Sequence, residues 1–198
     1  MDQLLAYLNA VHPLSPSLHE RLQSIIRFKT LAKHANLLEA GQVNREICFI
    51  IKGLLRCYYL KDGKEVSSWF LKEGDITVSV ESFYDQVPSY EYIEALEFCE
   101  LFYISHQELQ SLYREFPEFN FIGRELTVKY LKLWTRQLYN LRMHTAPERY
   151  QLLLEKDPEI IQRVPDKHLA SYLDINKITY SKIKGGFCRG NGGDGGSR

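Results

Sequence analysis

Long apolar runs are missing from this sequence. The longest, around Ile47–Ile51, has the length of a strand, far short of the roughly 18–20 residues a membrane span needs. The opening MDQLLAYLNA places an acid where a signal peptide carries basic residues, so a cytoplasmic chain with no membrane partner is expected. Cysteine is scarce. The four present (Cys48, Cys57, Cys99, Cys188) show no CxxC spacing. Zinc or iron–sulfur ligation wants grouped thiols, so no metal and no cofactor is expected, and the first three cysteines read as buried core thiols. Net charge is missing as well, since Lys+Arg and Asp+Glu both stand at 25. Any nucleic-acid surface must therefore be local. HExxH, P-loop and GxSxG motifs do not occur, and acids such as Glu94 and Glu97 read as solvated strand-end charges, so no enzyme is expected.

What is present is a change of periodicity along the chain. Residues 1–27 read as helical, with Leu4, Leu5, Leu8 and Val11 at helical spacing. A break at His12-Pro13 follows. Ser15 then reads as an N-cap with Pro16 in the first turn. From Phe28 to Ile104 the apolar runs shorten: Leu37–Leu38, Ile47–Ile51, Leu54–Leu60, Val66–Leu71, Ile76–Val80, Tyr90–Ala95 and Phe98–Ile104. Asp62-Gly63 between two of them is a hairpin signal. About eight strands at this spacing indicate an antiparallel barrel or roll.

From His106 the helical period returns. Ser105 with Glu108 forms a capping box, and Pro117 ends that helix. Phe119, Ile122, Leu126, Leu133 and Leu141 then recur along a helix through Arg142, while Leu131, Trp134 and Leu138 supply a second apolar stripe. Two such faces cannot both be buried against one small barrel. A homodimer through Phe119, Ile122, Leu126, Leu133 and Leu141 is the favoured reading; a helix sandwiched between two domains is the other. Ala146–Glu155 reads as a further helix, and Asp157-Pro158 starts a short one. The stretch from Gly185 to Arg198 is glycine-rich and reads as disordered.

The chemistry sits in Val164–Lys184, VPDKHLASYLDINKITYSKIK. A helix from Asp166 to Leu173 would face Leu169, Ala170 and Leu173 inward, and Asp174-Ile175-Asn176 would turn the chain. Asn176 would cap a second helix in which Ile178, Tyr180 and Ile183 pack and Lys177, Thr179, Ser181, Lys182 and Lys184 point out. That is the helix-turn-helix layout. Lysines suit phosphates and guanine edges, and hydroxyls suit phosphates or bases. Lys182 is the candidate guanine reader, with Lys167 and Lys184 as phosphate contacts. The charge asymmetry agrees. Acids exceed bases about two to one between Glu39 and Glu118, and bases exceed acids about three to one from Arg124 to Arg149.

This order of parts resembles the Crp/Fnr transcription regulators over nearly the whole chain. The marks are Gly41 in LLEAGQ, the run ICFIIKGLLRCYYL with Gly53, FLKEGD with Gly74, SYEYIEALEFCELFYIS and VPDKHLASYLDI. The resemblance implies an α+β fold: an antiparallel β-roll of the cyclic-nucleotide-binding type, a long dimerisation helix and a C-terminal winged helix-turn-helix. It also implies double-stranded DNA and RNA polymerase as partners. The divisions expected are 1–116 for N-terminal helices and sensor roll, 117–144 for the dimerisation helix, 145–184 for DNA binding and 185–198 for the tail.

Departures from the family bear on ligand. Members that bind cyclic AMP carry Gly-Glu and a later Arg in the phosphate cassette. Here that stretch, Gly74–Ile93, begins Gly74-Asp75 and holds no Arg or Lys. No cyclic AMP binding is expected, because a buried diester would lack a cation. Cluster-binding members use N-terminal cysteines, and residues 1–47 have none. A haem would need a placed histidine, and His12, His19, His34 and His106 are scattered. An unidentified effector held near Gly74, Phe83, Ser89, Tyr90 and Tyr92 competes with the reading that these rings are core. Ile178 stands where the family often has a polar base-contacting residue, and the glycine-rich end replaces the ordinary helix end and wing. A ligand-binding or scaffolding module that has lost DNA binding is the alternative function.

Overall fold

The computed structural model describes residues 1–190. The chain forms two compact units: Met1–Tyr59 with Trp69–Lys132, and Leu60–Ser68 with the chain from Leu133 onward.

The first unit opens with helices α1 (Asp2–Val11) and α2 (Pro16–Ile25). Ser15 caps α2 by accepting from the Leu18 amide, as its sequence predicts. Eight strands follow: β1 (Arg27–Leu31), β2 (Asn36–Leu38), β3 (Glu46–Lys52), β4 (Leu55–Lys61), β5 (Lys64–Leu71), β6 (Ile76–Thr77), β7 (Tyr92–Ala95) and β8 (Cys99–Ser105). They make two four-stranded sheets in the orders β1-β8-β3-β6 and β2-β7-β4-β5, with β1–β8, β3–β8, β3–β6, β2–β7 and β4–β7 paired antiparallel. Asp62 and Gly63 both have positive φ (51° and 72°), the two-residue hairpin turn expected between β4 and β5.

The strand β3 shows why its sequence runs apolar without alternation. Cys48 and Ile50 face a core between the sheets with Leu55, Cys57, Ile93, Ala95 and Leu101. Phe49 faces a second core of Leu4, Leu5, Leu18, Leu22, Phe102, Leu109 and Leu112, supplied largely by helices. A strand covered on both faces loses the period of two. Each fully buried Leu or Phe contributes about 1.5–3 kcal/mol. Gly53, at φ 99°, turns the chain between β3 and β4 where a Cβ would lie 2.6 Å from both the Phe98 carbonyl and Cys99 Sγ. Cys48, Cys57 and Cys99 are buried free thiols, and burial pushes the Cys48 thiol up to about 12.

Two boundaries differ from the sequence reading. The run Ile76–Val80 is strand only at Ile76–Thr77, and a short helix α3 (Val80–Asp85) follows. Strand β1 begins at Arg27, inside the stretch read as helical.

After β8 come α4 (His106–Glu115), with the Ser105–Glu108 capping box in place, and α5 (Pro117–Met143). The second unit continues with α6 (Ala146–Lys156), α7 (Pro158–Arg163), α8 (Asp166–Tyr172) and α9 (Lys177–Gly190). Thr145 and Glu148 form a second capping box at α6. Helix α9 runs six residues past Lys184, so the tail does not begin where glycine becomes common. Each glycine costs a helix about 1 kcal/mol. Packing opposes that cost, since the Phe187 ring lies 5.3 Å from Tyr150. Residues 191–198 of the expected tail lie outside the described residues. Among the described residues no strand follows Ser105, so the wing implied by the resemblance is not formed there.

Candidate functional site

Helices α8 and α9 form a helix-turn-helix whose turn is fixed by backbone geometry. Asp174 has φ 53°, and its amide donates to the Ser171 carbonyl while the Ile175 amide donates to the Ala170 carbonyl. This is the Schellman ending, at a position where glycine is commonest. Asn176 then caps α9, its Oδ1 accepting from the Thr179 amide at 2.8 Å. Leu169, Ala170, Leu173 and Tyr180 are buried with Tyr150, Ile160 and Val164. Small Ala170 suits the close approach of the helices, and the Tyr180 ring meets Tyr150 edge-on at 5.7 Å.

The remaining side chains of α9 divide by the helical period. Lys177, Ile178, Ser181 and Lys182 are exposed and, at spacings of one and four, lie on one face. Thr179 is half-buried. Lys184 turns away, its Nζ 2.9 Å from Asp166 Oδ1. It ties α9 to α8, which is a different task from the outward phosphate contact its charge suggests. Lys167 on α8 is exposed. Ile178 corrects the sequence reading most directly: its hydrophobicity predicts an inward place with Tyr180 and Ile183, yet it is 70% exposed. Two residues of separation on a helix are 200°, so Tyr180 and Ile178 cannot share a face.

Sequence reasoning also missed two positioning groups. Arg149, counted among the cations of a basic stretch, donates from Nε to the Leu173 carbonyl at 3.0 Å and from Nη1 to the His144 carbonyl at 2.8 Å. It closes the ends of α5 and α8. Ser171 binds the hairpin tip of the same unit, accepting from the Ser67 amide at 2.9 Å and donating to the Glu65 carbonyl at 3.1 Å. An arginine's charge and a serine's hydroxyl carry no pattern that names such partners.

The long helix α5 divides along its length. Phe119 and Ile122 are buried in the helix-side core of the first unit, with Leu126 packed half-buried against it. Assigning Phe119 and Ile122 to a partner helix is corrected: their own fold covers them. Leu133 and Leu141 are half-buried. Leu131, Trp134 and Leu138 are exposed. With Thr127 and Leu141 they repeat at intervals of four, three, four and three, the heptad spacing.

The serines of the cassette, Gly74–Ile93, are tied to one another and to Asn44. Asn44 Oδ1 accepts from the Ser79 amide at 2.7 Å, Ser82 Oγ accepts from the Asn44 amide at 2.8 Å, and Ser79 Oγ and Ser89 Oγ are 3.0 Å apart. Ser82 donates to the Val87 carbonyl, and Ser89 accepts from the Glu91 amide. Burial raises the Glu91 carboxyl despite a hydrogen bond from Ser79. Of the proposed effector residues, Phe83 is fully buried in the helix-side core, Tyr92 stacks on Tyr58 at 4.9 Å, and Tyr90 is 63% exposed. The three rings thus differ in environment. Gly74, at φ 85°, has open space where a Cβ would stand, and Ser89 is buried. The fully buried cation of the roll, Arg56, comes from β4. It sits 3.3 Å from Glu94 and 4.2 Å over the Tyr58 ring, alternating with Leu55 and Cys57, which face between the sheets. The cassette itself carries Glu91, Asp75, Glu81 and Asp85 and no Lys or Arg.

Among the described residues no helix is long and apolar enough to cross a membrane. Residues 28–116 match the cyclic nucleotide-binding domain family. A search of curated proteins returned no match. Several solved structures share the fold. FixK2 from Bradyrhizobium japonicum is 18% identical, with TM-score 0.71 over 88% of this chain and 90% of its own. A CooA variant from Carboxydothermus hydrogenoformans is 19% identical, with TM-score 0.69 over 92% and 84%. CLP from Xanthomonas campestris, a c-di-GMP-responsive global regulator, is 18% identical, with TM-score 0.67 over 89% and 93%. A structure described as a transcriptional regulator of the Crp/Fnr family, from Eubacterium rectale, is 15% identical, with TM-score 0.70 over 90% of this chain and 85% of its own.

Proposed function

We propose that this chain, whose residues 28–116 belong to the cyclic nucleotide-binding domain family and whose fold is that of the Crp/Fnr regulators, is a DNA-binding transcription regulator that acts without cyclic AMP. The observation that carries the reading is the outward face of α9. Lys177, Ser181 and Lys182 project from a capped helix N-terminus, beside Lys167 on α8. A helix of this kind fits a major groove, where its first turns meet base edges. Lys182 reads guanine, Lys177 and Ser181 contact bases or phosphates, and Lys167 holds a phosphate. Thr179 and Lys184 support the helix rather than reach the duplex.

The chain acts as a homodimer through Thr127, Leu131, Trp134, Leu138 and Leu141 of α5. The heptad spacing and exposure of Leu131, Trp134 and Leu138 support this. Two recognition helices then meet half-sites about one helical turn apart, roughly 34 Å. RNA polymerase is the downstream partner that the family resemblance implies. A cassette with four acids and no Lys or Arg supports regulation by something other than a cyclic nucleotide.

Selection from a random duplex pool tests the reading. Two half-sites with about 10-base-pair spacing are expected, and recovery of no enriched sequence overturns it. Leu131→Asp should convert the dimer to monomers in light scattering. A wild-type monomer at tens of micromolar would contradict the dimer.

A further inference from the structure

We infer that Ile178 reads the 5-methyl group of thymine, making this apolar side chain a specificity determinant of the duplex site. The inference rests on the DNA-binding reading above and adds the base that an uncharged residue selects.

Ile178 is more exposed than any other large apolar side chain of the described residues, at 70%. It has no core to face, because α9 buries Tyr180 on its other side. Its neighbours on the exposed face are polar: Lys177 beside it, and Ser181 and Lys182 one turn on. A β-branched residue is also a poor choice for a solvated helix, since it loses rotamer freedom there and gains no burial. An isolated apolar group inside a cationic face matches one feature of a duplex. Among base edges in the major groove, the thymine methyl is the apolar one, surrounded by the acceptors that lysine reads.

The spacing makes the inference more specific. Ile178 and Lys182 are four residues apart, so their Cβ atoms stand about 5–6 Å apart along the helix face. Base pairs rise about 3.4 Å per step. The thymine met by Ile178 and the guanine met by Lys182 therefore fall within about two steps of each other in each half-site.

Deoxyuridine substitution removes the methyl alone. In a duplex recovered by selection, each thymine is replaced in turn and binding of the full chain is followed by fluorescence anisotropy. One position per half-site should lose about four-fold in affinity, the worth of one buried methyl. That loss should vanish in Ile178→Ala, while the salt slope stays unchanged. Circular dichroism of Ile178→Ala should match the wild type, because the residue is exposed. If the wild type binds a selected duplex but tolerates deoxyuridine everywhere, the inference is wrong and the regulator reading stands. If Ile178→Ala keeps the same deoxyuridine sensitivity, another side chain reads the methyl and the inference again fails. Absence of any duplex binding overturns the regulator reading and this inference with it.

Discussion

The cassette between Gly74 and Ile93 and the helix-turn-helix between Val164 and Lys184 are each about twenty residues long, and each carries serines near a short helix. They treat those serines in opposite ways. In the cassette Ser79, Ser82 and Ser89 are buried, with partners inside the same unit. On α9 Ser181 stands exposed between Ile178 and Lys182. Buried polar groups favour internal partners, so the three cassette serines bond to one another, to nearby backbone and to Asn44. The outward face of α9 keeps its donors in water, where a phosphate or base edge can replace the solvent. The same residue type thus takes different tasks according to where its polar partners lie.

The largest expected effect lies in the unit that holds the cassette, at the turn between β3 and β4. Gly53→Ala would place a methyl 2.6 Å from the Phe98 carbonyl at a residue with φ 99°. Backbone cannot yield as a flexible side chain does, so a loss of about 3 kcal/mol is expected in urea unfolding. A loss below about 1 kcal/mol would mean that the turn between β3 and β4 adapts freely.

On α9, Lys182→Ala should cost about 1–3 kcal/mol on the preferred duplex and relax its sequence preference. Lys167→Ala should weaken all duplexes alike and lower the salt slope by about one. Equal losses on specific and random DNA for both variants would remove the base-reading role of Lys182.

Acid titration separates the two units by sign. Glu148 at the α6 cap is held below its ordinary value by hydrogen bonds from the Thr145 amide and hydroxyl. Its stabilising contribution is present above the unfolded value of about 4.5 and disappears as pH falls through the lower folded value. Glu91 in the cassette is raised by burial, so the fold prefers its protonated form and acidification toward pH 4.5 favours it. Glu148→Gln should therefore flatten the acid limb of the stability curve, and Glu91→Gln should raise stability at pH 7. The opposite sign at Glu91 would mean that its carboxylate is held by partners stronger than burial.

The smallest effect concerns the turn. Asp174 adopts φ 53° at a position glycine prefers, so Asp174→Gly should stabilise by about 0.5 kcal/mol in thermal melts, with DNA affinity unchanged. Destabilisation would show that the aspartate side chain itself holds the turn.

Features written in local chemistry were legible in the sequence. The Ser15 cap, the Ser105–Glu108 box, the Asp62-Gly63 hairpin and the Asn176 cap all depend on residues within three or four positions of one another, and all occur. Features set by distant partners were not legible. Helix α3 hides in the strand-like letters around Val80, because six residues are too few for a period to declare itself. Phe119 and Ile122 look like any helical stripe, and only the roll beside them decides that they are covered. Arg149 and Lys184 appear as surface cations until Leu173 and Asp166 are placed next to them. Ile178 was sorted by hydrophobicity, whereas its position two residues before Tyr180 already set it on another face.

The most direct test is anisotropy of a selected duplex with the full chain, titrated at two salt concentrations with and without excess cyclic AMP. The account predicts tight binding without the nucleotide and no change on its addition. It also predicts a fall of about 10³-fold or more between 50 and 200 mM salt, as expected for a dimer neutralising at least six phosphates. Binding that appears only when cyclic AMP is added would contradict it, because the cassette would then hold an anion against its four acids and without Lys or Arg of its own.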